Sequence, residues 1–539
     1  MDSPYLADIL VSSRRLLTLM NRNPFDSTSG SFDRNYWHFK TSDFSSATFQ
    51  MGIGILAKLW VLEGSPYFKK QVIIDWIELG IEQLNQIQHS DGSFDEWYVN
   101  ERGWAGPTGY IMNACLDCYE LVGDAISQTS KEKLEKVIDS GVDFLKCSDE
   151  GHMISNHVAI VYLPLVQALN LMDRNDLGPR IRELKEILLD TLNEEEGWSL
   201  EYDGADPGYQ SGTLSFLAKS LKYYDNPEIR HICERSLDFT SYFAFPSGNV
   251  GGAVGSRHTV TFFCAGIEAL RDTPLGARLS RFMEEGIQKG KQVLSSDLDD
   301  HYLVYRLYEF LDAHSFWISR NKGEELKLPY ELGLDQGFEK TFDSANIFIK
   351  ATEKYYASMA LNKGGALRVE CPASGRVLIA DSGILAKQGA KTYSSLSCAK
   401  TQWRVQDGSI DVEGELIDVS SKVFSPAKFI LFRLFMLCFG FNHKVANRLK
   451  KAIKSALIFH SGRGDSYKRI IQFNKDSIEV TSKLYATKHY TNVHFGGEFW
   501  TRYVPQSRHF LEEHLNQSAP YHVEKNVNGE VVAYKEVGW

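Results

Sequence analysis

The 539-residue sequence predicts an α-then-β chain of two domains, and two patterns predict it. From Tyr5 to about Leu311 apolar residues recur at three- and four-residue steps, the spacing of one helix face. KKQVIIDWIELGIEQLNQIQ and KEKLEKVIDSGVDFLK are clear cases. After about Phe338 the period falls to two, in GALRVE, GRVLIADSG, GSIDVEGELIDVSS, KRIIQFNKDSIEVTSKL and NVNGEVVAYKEV. These read as short strands, the last turning at Asn528-Gly529. The length exceeds what one core supports. The expected division is a helical domain over 1–325, a linker within NKGEELKLPYELG (321–333), and a β-sandwich over 335–539.

Within the helical part, three turn-rich stretches separate the helices: HSDGSFDEWYVNERGWAGPTG, NEEEGWSLEYDGADPGYQSG and FAFPSGNVGGAVGSRHT. Long loops alternating with helix pairs predict an all-α array whose loops gather on one face. These loops carry Trp97, Arg102 and Trp104; Tyr202 and Tyr209; and Arg257 and His258. A fourth junction, in MISNHVAIVYLPLVQAL, sets Asn156 and His157 at the mouth of an apolar helix. Neither is a strong helix former and both are costly to bury unpaired. Taken alone, the pair reads as an N-cap by Ser155 or Asn156 beside an interface histidine.

Composition narrows the function. A formal net charge of −10 argues against nucleic acid as the partner. Aromatics make up 12% of the chain, as suits stacking on sugar rings or simple core packing. The N-terminus lacks a basic start with an unbroken apolar run, and the eight Cys are spread thinly, so the expected location is the cytoplasm. Cys115 and Cys118 share a helix face, without the second pair that zinc would need. The glycines before Arg257 follow no strand, which rejects a phosphate-binding loop.

Asn, His, Tyr and Arg on one face suit the elimination of a 4-linked sugar from a uronic acid. The carbon-5 proton is acidified only by the neighbouring carboxylate. Donors such as Asn156 and Arg257 must neutralise that carboxylate before an enolate can form. His157 titrates near neutrality and Tyr209 near pH ~10, so Tyr209 serves as an acid unperturbed and as a base only beside a cation such as Arg257. The chemistry requires no metal or other cofactor.

The Asn156-His157 doublet in ISNHVA, Tyr209 in GADPGY and Arg257-His258 in GSRHT, in this order, resemble the heparinase II/III-like polysaccharide lyases, relatives of alginate and oligoalginate lyases. The resemblance implies an incomplete α/α toroid followed by an antiparallel β-sandwich. It also implies an anionic polysaccharide or oligosaccharide substrate. Asn156 would neutralise the uronate, His157 would be a base, Tyr209 the acid or acid/base, and Arg257 and His258 would complete the carboxylate site. Trp97, Arg102, Trp104, Tyr202 and His460 are expected to bind substrate. Some members recruit a β-domain Tyr or His and hold a structural zinc there. His460, Asp465, Tyr467, His489 and His494 are candidates, with no spacing that fixes a role.

Other readings stay open. Asp91, Asp95 and Glu96, or Glu201, Asp203 and Asp206 beside Asp95, would serve a glycoside hydrolase, which needs two carboxylates ~5–10 Å apart. A uronate 5-epimerase or a non-catalytic polysaccharide-binding protein would use the same cleft.

One stretch breaks the β pattern. Residues 425–458 begin with an apolar run from Phe429 to Phe441, interrupted only by Arg433 and too short to cross a bilayer. It continues with Val445, Leu449, Ile453 and Leu457 opposite Lys444, Arg448, Lys450, Lys451 and Lys454. A buried strand pair is one reading of the run. A basic amphipathic helix at an anionic membrane surface is the other, with Arg433 and these Lys and Arg side chains facing lipid. With the cytoplasmic expectation, that places the chain at the inner face of the membrane, acting on a bacterial surface polysaccharide.

Overall fold

The structure, a computed structural model, describes residues 3–102, 104–149, 154–202, 204–396, 401–406, 408–420, 425–442, 444–446, 448–449, 462–497, 515, 520–525 and 530–539. Helices fill the chain as far as Ser319, and the first strand begins at Phe338. A short helix, Pro329–Asp335, stands where the sequence reads as linker.

Consecutive helices pack side by side around an apolar interior. Gln71–Ile87 buries Ile73, Ile74, Ile77, Ile81 and Leu84, the three- and four-residue series seen in the sequence. Gln128–Cys147 buries Leu134, Val137, Ile138, Val142 and Leu145, and Ser127 caps it by accepting from the Ser130 N–H. Asp206, Asn226, Thr273 and Asp299 cap four later helices in the same way. At the centre of the array the ammonium groups of Lys58 and Lys219 share the buried carboxylates of Asp117 and Asp312.

Among the described residues, the β domain is two antiparallel sheets. The first is a five-stranded meander of Phe338–Phe342, Ile347–Ala351, Tyr356–Ala360, Ala366–Glu370 and Val377–Asp381. The second has nine strands, with Ser409–Asp418, Arg463–Phe473, Ser477–Tyr485 and Glu530–Gly538 running side by side at its centre. The predicted turn at Asn528-Gly529 lies outside the described residues, between the paired strands His522–Lys525 and Glu530–Gly538.

Both faces of the meander are covered. Ile347, Ile349 and Tyr356 join the core of the helical domain, whereas Phe348, Ala357 and Met359 join Ile410, Val412, Ile471 and Val480 of the second sheet. Successive strand side chains point to opposite faces, so a sheet between two partners is apolar throughout. The nine-stranded sheet faces solvent on one side, and Ser477–Tyr485 alternates buried with part-exposed.

The interface between the domains is polar as well as apolar. The Tyr356 hydroxyl donates to the Tyr242 carbonyl at 2.7 Å. Lys363 Nζ donates to the carbonyls of Gly255 and Ser256 at 2.9 and 2.7 Å. The β domain thereby fixes the loop that carries Arg257.

The apolar run near residue 430 is neither a core strand pair nor buried. It forms the helix Pro426–Phe439, of which only Met436 is buried. No described helix is long and apolar enough to cross a membrane.

Candidate active site

The doublet opens the helix Ser155–Leu171, but not as a cap. Ile154 holds the N-cap position, with no side-chain cap. Ser155 and Asn156 instead bond across to the loop after Thr191. Ser155 Oγ donates to the Leu200 carbonyl at 3.0 Å. The Asn156 N–H donates to Glu201 Oε1 at 3.1 Å, and its side-chain amide donates to Glu201 Oε2. That loop is a small hairpin bridged at Leu192–Ser199 and Glu201–Gly204.

This hairpin presents Tyr202 to His157. The Tyr202 hydroxyl and His157 Nε2 stand 3.5 Å apart, with the rings edge to face at 6.1 Å between centroids. The Arg257 guanidinium lies 4.5 Å over the Tyr202 ring. Trp104 flanks His157 at 6.3 Å, and its indole N–H donates to the Tyr98 hydroxyl at 3.0 Å.

Tyr209 sits in the first turn of Pro207–Ser220, which Asp206 caps by accepting the Tyr209 N–H at 3.0 Å. The other oxygen of Asp206 accepts the Arg257 N–H at 2.7 Å, so one carboxylate ties the Tyr209 and Arg257 loops together. Burial pushes the Tyr209 hydroxyl well above its ordinary pKa, and the opposing pull of Arg257 does not cancel it. Tyr209 therefore holds its proton throughout the neutral range. Gly252 lets this loop close, because a Cβ there would meet the Thr259 carbonyl oxygen at 1.8 Å.

The remaining predicted residues divide. Trp97 is 55% exposed and stands on the cleft wall, 5.1 Å from the His301 ring. Arg102, expected to meet substrate, is turned to Asp91 at 3.2 Å and is largely covered. His258, expected to complete the carboxylate site, is fully buried behind Arg257. Its backbone is left-handed at φ 55°, and Nε2 faces Lys363 Nζ at 3.3 Å. A side chain of the β domain thus claims its ring. His460 lies outside the described residues.

Of the β-domain candidates, Asp465, Tyr467, His489 and His494 are described. Asp465 accepts the N–H groups of Thr487 and Lys488 at 2.9 Å each, and His489 and His494 are exposed. Among the described residues no group of three metal-ligating side chains forms.

The loop carboxylates face inward. Asp95 accepts the N–H groups of Asn100 and Glu101 at 3.0 and 2.8 Å. Glu96 accepts from Thr48 and His301, and Glu101 accepts the N–H groups of Glu96 and Trp97. Burial pushes the Glu201 carboxyl well up, against the Asn156 hydrogen bonds. Asp203 lies outside the described residues. The described carboxylates tie these loops together through the N–H groups they accept.

Two features escaped the sequence reading. By sequence Glu201 reads only as a hydrolase carboxylate, whereas in the structure it sets the orientation of Asn156. His301, Tyr302 and Tyr305 continue the aromatic wall from Trp97, with His301 5.0 Å from Tyr302 and 6.1 Å from Tyr305. The signal was present in DHYLVYRLYEF, where His301 and Tyr305 are one helical turn apart. The small pocket lined by Tyr110, Lys219, Tyr305 and Glu309 holds none of the predicted site residues.

No protein-family model and no curated protein matches the sequence. Solved structures do match. A point mutant of the chondroitin AC lyase of Streptomyces coelicolor A3 superposes with a TM-score of 0.54 at 11% identity, over 99% of this chain and 78% of that one. Paenibacillus xanthan lyase superposes with a TM-score of 0.50 at 11% identity, over 90% of this chain and 46% of that one. This chain therefore spans about half the length of the xanthan lyase. A heparinase III aligns with a TM-score of 0.49 at 10% identity, over 92% of this chain and 76% of that one. In its helical array, its two stacked sheets and their order along the sequence, the chain has the fold of the chondroitin AC and xanthan lyases, an α/α toroid followed by an antiparallel β-sandwich.

Proposed function

We propose that the protein is a polysaccharide lyase that cleaves a uronic-acid-containing glycan by β-elimination. The observation that carries this reading is the grouping of His157, Tyr209 and Arg257 around Tyr202, beside loop carboxylates that accept backbone N–H groups. The fold shared with two polysaccharide lyases supports the reaction class.

In this reading Glu201 holds one N–H of the Asn156 amide, and the other N–H, with the Arg257 guanidinium, meets the uronate carboxylate. His157, in its neutral form, takes the carbon-5 proton. The C–O4 bond breaks as the carbon-4–carbon-5 double bond forms, and Tyr209, which keeps its proton, donates it to the departing oxygen. Trp97, Trp104 and Tyr202 offer the aromatic faces on which sugar rings stack.

The test is incubation with chondroitin, xanthan, heparan sulfate and further anionic glycans, read by ultraviolet absorbance and by product mass. A lyase gives unsaturated, ultraviolet-absorbing ends. Reducing ends without absorbance would establish a hydrolase, and altered uronate configuration at constant chain length an epimerase. Retention of polymer without any product would leave a binding protein.

A further inference from the structure

The helix Pro426–Phe439 is the strongest feature that the cleft chemistry does not use. It lies within the connection between the neighbouring strands Ser409–Asp418 and Arg463–Phe473, where a hairpin needs only about two to five residues. The chain inserts 44 residues there, 419–462. The helix reaches across to the helical domain and settles on the loop that bears Trp97 and Trp104. Phe432 packs edge to face on Tyr98 at 5.2 Å, and the Asn100 side-chain amide donates to the Met436 carbonyl at 3.1 Å. Arg433 pairs with Asp43 and lies 5.5 Å over the Phe44 ring. Arg433, expected to face lipid, is therefore one of the anchors that hold the helix down.

The opposite face is bare. Phe429, Ile430, Leu431, Leu434, Leu437 and Phe439 are each 49–67% exposed. A contiguous apolar surface of this kind on a soluble domain marks an interaction site. Its surroundings are basic: Lys428, Lys444 and Arg448 are exposed, and residues 425–462 contain seven Lys or Arg and no Asp or Glu, in a chain of net charge −10. Val445 and Leu449 are half-buried and Ala446 is buried, so the bare apolar face belongs to Pro426–Phe439, not to the basic turns that follow it. Lys450, Lys451 and Lys454 lie outside the described residues.

We infer that Pro426–Phe439 docks the protein on the surface of an anionic lipid bilayer, with the Trp97 loop, the rim of the candidate cleft, held beside the headgroups. The charge selects the occupant. A second copy meeting the same face would bring two basic segments together, whereas anionic headgroups meet Lys428, Lys444 and Arg448 as the apolar side chains enter the acyl boundary. Such docking gives the site glycan anchored to, or assembled at, a membrane. That consequence rests on the lyase reading; the docking does not.

Sedimentation of the full chain with vesicles tests it without any glycan. Vesicles of phosphatidylcholine with phosphatidylglycerol should carry down at least about tenfold more protein than phosphatidylcholine alone, with the difference shrinking as salt rises. The double substitution Leu431→Glu and Leu434→Glu, on exposed positions, should abolish recovery at an unchanged melting temperature. Should that variant misfold, Lys444→Glu with Arg448→Glu must still remove the preference for phosphatidylglycerol. Equal recovery on both vesicle types, or none, overturns the inference. So does a dimer in solution that the leucine substitutions dissolve while vesicles recover nothing.

Discussion

Asn156 and Glu201, 45 residues apart in sequence, are joined twice: both the backbone N–H and the side-chain amide of Asn156 donate to the Glu201 carboxyl. The pair fixes the direction of a buried amide at the edge of the cleft. In the lyase reading, Asn156→Ala should lower kcat by about 10²–10³-fold, the usual effect of deleting one donor to a developing oxyanion. Glu201→Ala should approach that loss, and Glu201→Gln, which keeps an acceptor, should lie within about tenfold of wild type in the same steady-state assay. Equal losses in Ala and Gln variants would give Glu201 a role beyond positioning.

The two tyrosines are separable. Tyr209→Phe and His157→Ala should each reduce turnover by about 10²–10⁴-fold with little change in melting temperature, as for positioned acid and base groups. Tyr202→Phe keeps the ring beneath Arg257 and removes only the hydroxyl near His157, so it should act mainly through KM. Near-wild-type turnover in Tyr209→Phe, with loss in Tyr202→Phe, would transfer the acid role to Tyr202.

The pH profile follows from the direction of the Tyr209 shift. Burial raises its pKa, so it remains a proton donor across the neutral and mildly basic range. The rate should climb as the His157 imidazole loses its proton and then level off. A further climb toward pH ~10 would mean that a tyrosinate, not an imidazole, is the base.

Loop stability should depend on pH through His301. Burial would lower its pKa, but the hydrogen bond and charge of Glu96 outweigh this and raise it. A raised folded pKa stabilises fully below the unfolded value of about 6.5, and that stabilisation is lost as pH rises through the folded value. Thermal melts at pH 6 and 8.5 should therefore differ more for wild type than for His301→Gln.

Asp117 should matter to the fold and not to the chemistry. Burial alone would raise its pKa, yet Lys219 and Lys58 hold it below the carboxylate range. That contribution is present above the unfolded pKa of about 4 and is lost only in strong acid. Asp117→Ala strips a shared partner from two buried ammonium groups and should destabilise by about 3–5 kcal/mol, read by denaturant unfolding.

The sequence by itself determined the order of the domains and most helices, because amphipathic helices such as Gln71–Ile87 and half-exposed strands such as Ser477–Tyr485 print their period directly. It named His157, Tyr202, Tyr209 and Arg257, since Gly-rich loops with those residue types stand out against apolar helices. The strands Ile347–Ala351 and Tyr356–Ala360 gave no alternation to read, for the meander is covered on both faces. Only the tertiary structure decided which loop residues face the cleft. Arg102 turned to Asp91 within its own loop and His258 to Lys363 of the β domain, because an ion pair or buried ring contact outweighs exposure when such a partner is within reach. The same holds for Pro426–Phe439, whose apolar run fits a core strand as well as an exposed helix until Tyr98 and Asn100 claim one face and leave the other bare.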